Sequence, residues 1–234
     1  DSAFAPYGER DEPFVAQRAQ AALQLLHQHH PIKALVVACN TATALAIHLL
    51  RQQHPELPIF GVEPALKPAA IHSRTHRVGV IATAGTLGSQ KFADLLNRLG
   101  TATEFITQAC DGLAEAIEQQ WQHRHPSTVQ RLCEQYLQPM GVFGGDPGQI
   151  DTLVLGCTHY PFASKELLTV TGEAVQLFET GAPVARRVQH VLSERQLLTP
   201  GTAGKLSLLA TGETANLQQA AHHWLSIQTE VVTV

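Results

Sequence analysis

Two cysteines in this chain stand where a thiol can do proton chemistry. Leu35-Val-Val-Ala-Cys39-Asn40-Thr41 and Leu153-Val-Leu-Gly-Cys157-Thr158-His159-Tyr160-Pro161 resemble each other in kind. Each reads as a short, continuously apolar strand that delivers a cysteine, then hydroxyl or amide side chains, then a helix. A cysteine at a helix N-terminus meets unsatisfied backbone N–H groups and the positive end of the helix dipole, and both are expected to lower its pKa. The same N–H groups, helped by Asn40, Thr41 and Thr158, suit a carboxylate. Any single cysteine is most simply a small buried hydrophobe. A matched pair at two strand ends shifts that reading towards function. Cys110 and Cys133 fall within helical patterns and keep the plainer reading.

His159 follows Cys157 by two residues, a spacing at which a direct Cys–His pair is awkward, so a papain-like site is not favoured. A zinc site needs about four ligands, and no second cluster supplies them. His27, His29, His30, His222 and His223 sit on helix faces or ends and read as solvated surface. A third strand end, Ala82-Thr83-Ala84-Gly85-Thr86, offers a glycine for close backbone approach and two threonines for an anion; equally, it is an ordinary turn with a threonine cap. No Walker lysine and no G-x-G-x-x-G follow, so nothing supports a nucleotide site there.

The elements that must position these residues alternate. The spacing predicts a helix over 13–30, ended by Pro31, a strand at Ala34–Ala38, a helix over 41–54 closed by Pro55, and a strand at Pro58–Val62. A strand at Arg77–Ala82 precedes a helix at about 87–99. Residues 111–138 read as helical with a break near Pro126, and Gly141–Gly148 as a loop. Then come a strand at Asp151–Leu155, a helix after Pro161, a strand at 174–178, a helix at about 182–196, a strand at Lys205–Ala210, a helix at 214–225 and an edge strand at Glu230–Val234. Strands alternating with helices imply an α/β protein with mostly parallel sheets, whose chemistry gathers outside the carboxyl ends of the strands.

Composition bounds the rest. The 234 residues suit one large domain or two lobes. Apolar residues are 44%, which excludes disorder and makes a disulfide or metal staple unnecessary. Sixteen basic against twenty acidic side chains give −4, which argues against a protein built for polyanions. No run approaches the ~20 apolar residues of a membrane span. The opening, Asp1 to Arg10, lacks a basic start followed by an apolar core, so the reading expects no signal peptide, reduced thiols and a cytoplasmic setting.

These motifs resemble those of the cofactor-independent aspartate/glutamate racemase family, in its glutamate branch. The matching pieces run in family order across nearly the whole chain: Pro6-Tyr7-Gly8-Glu9, Ala38-Cys39-Asn40-Thr41-Ala42, Gly61-Val62-Glu63-Pro64-Ala65 with Lys67-Pro68-Ala69, Ala82–Thr86, Gly156–Pro161, and Gly181 leading into Ala185-Arg186-Arg187. The resemblance implies two mostly parallel α/β lobes related by a pseudo-two-fold axis, with the site in the cleft between them. It places residues 1–63 with 180–234 in the first lobe and 64–179 in the second. It implies two-base racemisation of glutamate without pyridoxal phosphate or metal, supplying D-glutamate for bacterial peptidoglycan. Cys39 would act on the D-enantiomer and Cys157, assisted by His159, on the L-enantiomer. Pro6, Tyr7, Gly8, Asn40, Thr41, Thr83, Thr86 and Thr158 would hold the substrate, and Glu118 matches an acidic position near the site. A homodimer is implied, with no nucleic-acid or membrane partner. Family members begin with a strand and an Asp-Ser-Gly loop, whereas Asp1-Ser2 corresponds to the point just before Pro-Tyr-Gly, so the first lobe is expected to lack its first strand. Glu179-Thr180-Gly181 stands where Asp-Ser-Gly is common. A catalytically silent amino-acid-binding or regulatory relative and an aspartate racemase are the alternative readings.

Overall fold

The computed structural model describes residues 1–120, 127–199, 201 and 204–234. Eight strands and eleven α-helices alternate through the described residues: α1 (Glu12–His29), β1 (Leu35–Val37), α2 (Asn40–Leu45), α3 (Ile47–Gln53), β2 (Ile59–Gly61), α4 (Leu66–His72), β3 (Arg77–Ala82), α5 (Ala84–Leu87), α6 (Gln90–Leu99) and β4 (Glu104–Ala109). There follow α7 (Leu113–Gln119), α8 (Ser127–Leu137), β5 (Thr152–Gly156), a 3₁₀ turn (Tyr160–Ala163), α9 (Ser164–Thr171), β6 (Gln176–Phe178), α10 (Gly181–Glu194), β7 (Leu208–Ala210), α11 (Thr214–Leu225) and β8 (Val231–Thr233). Every strand pairing is parallel: β1 with β2, β7 with β8, and a four-stranded sheet in the order β4-β3-β5-β6. The expected α/β class with parallel sheets is the observed one.

The four-stranded sheet is sandwiched because its central strands are apolar on both faces. Side chains alternate along a strand, so Val78, Val80 and Val154 point one way, onto Leu66, Ala69 and Phe92 of α4 and α6. Ile81, Leu153 and Leu155 point the other way, onto Leu113, Ile117, Val129, Leu137 and Leu167 of α7, α8 and α9. Burying a leucine or isoleucine side chain fully stabilises by about 1.5–3 kcal/mol, and this double layer anchors the two strand ends that open on the site. Asp151, at the head of β5, accepts from Ser73 Oγ at 2.6 Å and from the Arg74 and Thr75 amides at 2.7 and 3.1 Å. Burial raises its pKa, but these hydrogen bonds outweigh it and hold the carboxyl below its usual range.

Several expectations change. The helix expected over 41–54 is two, α2 and α3, meeting at Ala46, where φ is −119°. The segment read as helical from 111 is α7 and α8; the break expected near Pro126 lies outside the described residues. Neither β4 nor α4 was anticipated. Cys110 lies at the end of β4 rather than in a helix, while Cys133 is in α8 as expected, and both are buried.

Candidate active site

The carboxyl ends of β1, β3, β4 and β5 open on one cleft of about 280 Å³. It gathers Pro6, Tyr7 and Gly8 from the N-terminal loop, Cys39, Asn40 and Thr41 from the β1–α2 junction, and Thr83 from the β3–α5 junction. Cys157, Thr158 and His159 after β5 and Glu118 of α7 complete it. Of the residues singled out in the sequence, only Thr86 stays behind the wall, supporting the other threonines.

Cys39 is the N-cap of α2, its Sγ accepting from the Ala42 amide at 3.4 Å. The expected direction of its pKa is reversed. Burial pushes the Cys39 thiol up, and the hydrogen bonds from Ala42 and Thr41 pull it back only in part. Thr41, Thr83 and Thr86 form a hydroxyl triangle with Oγ1–Oγ1 separations of 2.9 Å (41–83), 3.0 Å (83–86) and 3.4 Å (41–86). Thr83 also caps α5 by accepting from the Thr86 amide at 3.3 Å, so it is cap and cleft wall together. Asn40 is buried, yet neither its amide oxygen nor its nitrogen has a protein partner. A buried amide left unpaired costs ~1–3 kcal/mol, so a carboxylate or ammonium brought beside it finds an unused donor and acceptor.

On the other wall, Cys157 Sγ lies 3.7 Å from His159 Nδ1, and His159 Nε2 lies 2.5 Å from Glu118 Oε1. The Cys–His contact judged awkward at this spacing forms because the chain turns immediately after β5, folding His159 back towards the sulfur. Burial pulls the His159 pKa down, but its hydrogen bonds to Cys157 and Glu118 and the charge of both prevail, raising it to about 10. The imidazole thus bridges a carboxylate and a sulfur, a built proton path. Thr158 Oγ1 donates to the Ala38 carbonyl at 3.1 Å and ties the two cysteine-bearing strand ends together.

The N-terminal loop closes against the threonine wall because two glycines let it. The Gly85 amide donates to the Gly8 carbonyl at 3.0 Å, and a Cβ on Gly8 would stand 2.7 Å from Thr83 Cγ2. Gly8→Ala should therefore displace Thr83 at a cost of about 1–3 kcal/mol, read as a lower melting temperature together with weaker substrate binding. Sequence spacing did not reveal three other residues of the cleft, Asp1, Glu9 and Cys110. Asp1 accepts from Tyr7 Oη and is clamped by Arg18 (Nη2–Oδ1 2.6 Å, Nε–Oδ2 2.9 Å), and Glu9 accepts from the Gly112 amide at 3.2 Å across the cleft mouth. Cys110, taken as a core residue, also lines the wall. These are long-range contacts with no local pattern to announce them.

Residues 1–188 match the family model described as Asp/Glu/Hydantoin racemase. The chain belongs to this racemase family. It is 46% identical over its full length to a glutamate racemase of Cupriavidus pinatubonensis, covering 83% of that protein, and 42% identical to one of Ectopseudomonas mendocina, covering 85% of it. The crystal structure of a glutamate racemase isoform from Bacillus anthracis superposes on the whole chain with a TM-score of 0.86, at 30% identity and over 85% of its own length.

Proposed function

We propose that this chain interconverts L- and D-glutamate by two-base proton transfer, with Cys39 serving the D-enantiomer and Cys157 the L-enantiomer. One observation carries the reading: two cysteines at matched strand-to-helix junctions line a single cleft. In the L-to-D direction the Cys157 thiolate takes the α-proton, and the C–H electron pair passes into the carboxylate-conjugated carbanion. The Cys39 thiol then gives its proton to the opposite face. One thiol and one thiolate remain, with their roles exchanged, so the reverse reaction starts ready. A single base would return the proton to the face it left. His159, held by Glu118, moves or stores the proton at Cys157 Sγ.

The α-proton is a very weak acid, so developing negative charge must meet preorganised donors. Asn40, Thr41, Thr83 and Thr158, with the α2 backbone amides, hold the substrate's carboxylates, and the Pro6-Tyr7-Gly8 loop encloses it; Thr86 orders the threonines from behind. The reading assigns no step to pyridoxal phosphate or a metal. It places residues 1–63 with 180–234 in one lobe and 64–179 in the other, related by a pseudo-two-fold axis, in a cytoplasmic homodimer that provides D-glutamate for peptidoglycan. Incubation of L-glutamate with the protein in D₂O tests it. Deuterium is expected at the α-carbon of the D-product as optical rotation falls to zero. Binding of glutamate with no exchange would overturn the reading.

A further inference from the structure

Arg18 lies on α1, one turn after Phe14 and outside the cleft lining, yet two residues join it to the wall that carries Cys39. Its guanidinium grips the Asp1 carboxylate with both arms, Nη2 to Oδ1 at 2.6 Å and Nε to Oδ2 at 2.9 Å. The two side chains are only 17% and 9% exposed, so water and salt screen the pair weakly. Asp1 in turn lines the cleft and accepts from the Tyr7 hydroxyl and, at 3.2 Å, from Thr211 Oγ1. Burial raises the Tyr7 pKa, so the hydroxyl keeps the proton it directs at Asp1. Held at its tip, the Tyr7 ring meets Phe14 edge-on, centroids 6.4 Å apart, and packs with Cys39 against the same patch of Val15, Ala42 and Ala46. The guanidinium itself lies over the Phe4 ring, 3.5 Å from its centroid. Among the described residues that line the cleft none is a lysine or an arginine, whereas Asp1, Glu9, Asp111, Glu115 and Glu118 are acids.

We propose, on the two-base reading above, that Arg18 is a positioning residue for the Cys39 half of the reaction, acting through Asp1 and Tyr7. Without the guanidinium, the buried Asp1 carboxylate would stand uncompensated in the cleft that must also hold the Cys39 thiolate, and like charge opposes ionisation of a thiol. With Asp1 free to turn, Tyr7 would lose its fixed acceptor, and its ring would no longer be held beside Cys39. A planar fork cancels the charge and fixes the plane of the carboxylate at once, which a point charge cannot do. The opposite wall, Cys157 with His159 and Glu118, makes no contact with this network and keeps its own proton path.

Initial rates in both directions, with α-deuterium isotope effects, test the assignment on the parent, Arg18→Met and Arg18→Lys. Methionine keeps an apolar stem and loses the fork. Its kcat/KM should fall by about 10–100-fold, equally for L- and D-glutamate, because two enantiomers are equal in free energy. Relative to the parent, the isotope effect on kcat/KM should rise for α-deuterated D-glutamate, whose deuteron Cys39 removes, and fall for the α-deuterated L-enantiomer. General damage to the fold lowers the rate without splitting the two. Arg18→Lys restores the charge but not the fork, and should recover part of the rate with a smaller split. Should methionine leave the chain unfolded, the lysine variant decides by the same split. Unchanged kcat/KM in a racemising parent's variants, or a fall with isotope effects unsplit, would overturn the assignment of Arg18 alone. No racemisation by the parent would overturn the two-base reading and this assignment with it.

Discussion

Replacing Cys39 or Cys157 by serine is expected to lower kcat/KM for racemisation by about 10²–10⁴-fold, in both directions of the reaction. A serine hydroxyl is far too weak an acid to exchange protons as the thiol does, although it fills the same place. Cys39→Ser is an unusually clean experiment. Cys39 caps α2 through its sulfur, and serine is among the preferred capping residues, so the variant should melt no lower than the parent. Any lost activity then belongs to chemistry and not to folding. Cys110→Ser is the control: Cys110 lines the same wall, but burial holds its thiol strongly up and its Sγ meets only the Gln108 carbonyl at 3.7 Å. Its activity should stay near that of the parent. Retention of full racemisation by Cys39→Ser would remove the two-base mechanism.

The second large effect concerns pH. Glu118→Gln removes the carboxylate beside His159 and should lower the histidine pKa from about 10 by about 1–3 units. In kcat/KM profiles the alkaline limb should move down by a similar interval, and an NMR titration of the imidazole should follow it. Stability should move with it. Because the folded-state pKa of His159 lies above its ordinary value of 6.5, its contribution is complete below about 6.5 and is lost as pH rises through about 10. The parent should therefore lose melting temperature across that interval, and Glu118→Gln should lose less of it. His159→Asn should reduce racemisation by ~10²-fold, the lower end of what a positioned acid or base contributes. An unshifted profile in Glu118→Gln would mean that the carboxylate does not act through His159.

Much of the frame was legible in the sequence because the strands that matter are buried on both faces. Val78–Ala82 and Leu153–Gly156 are unbroken apolar runs, and each ends in residues whose chemistry is visible in their type. β4 escaped notice because it is an edge strand: Glu104, Thr107 and Gln108 interrupt its apolar residues, and only one neighbour pairs with it. α4 was hidden by Pro68, which is accommodated in the first turn, where its missing N–H costs nothing. The cysteines and threonines could be found from strand-end position, whereas His159 entered only through the family resemblance, because its two-residue spacing from Cys157 argues against a contact that the turn after β5 in fact makes. The direction of the Cys39 shift could not, since dipole and burial oppose each other and only packing decides between them. Asp1, Glu9 and Cys110 reach the cleft through contacts distant in the chain, which periodicity does not encode.

The three threonines behind Cys39 have one further consequence. Thr83 gives its one hydrogen to Thr86, so the hydrogen between Thr41 and Thr83 is Thr41's to give or withhold. Thr41, on the cleft, can then turn its O–H towards a negative guest or a lone pair towards a positive one, with no heavy atom moving. An amino acid presents both signs of charge, and in the proposed reaction the carboxylate and ammonium keep their places while the α-proton changes face. A hydroxyl that reverses its polarity by rotating one proton can serve whichever charge lies beside it in either enantiomer.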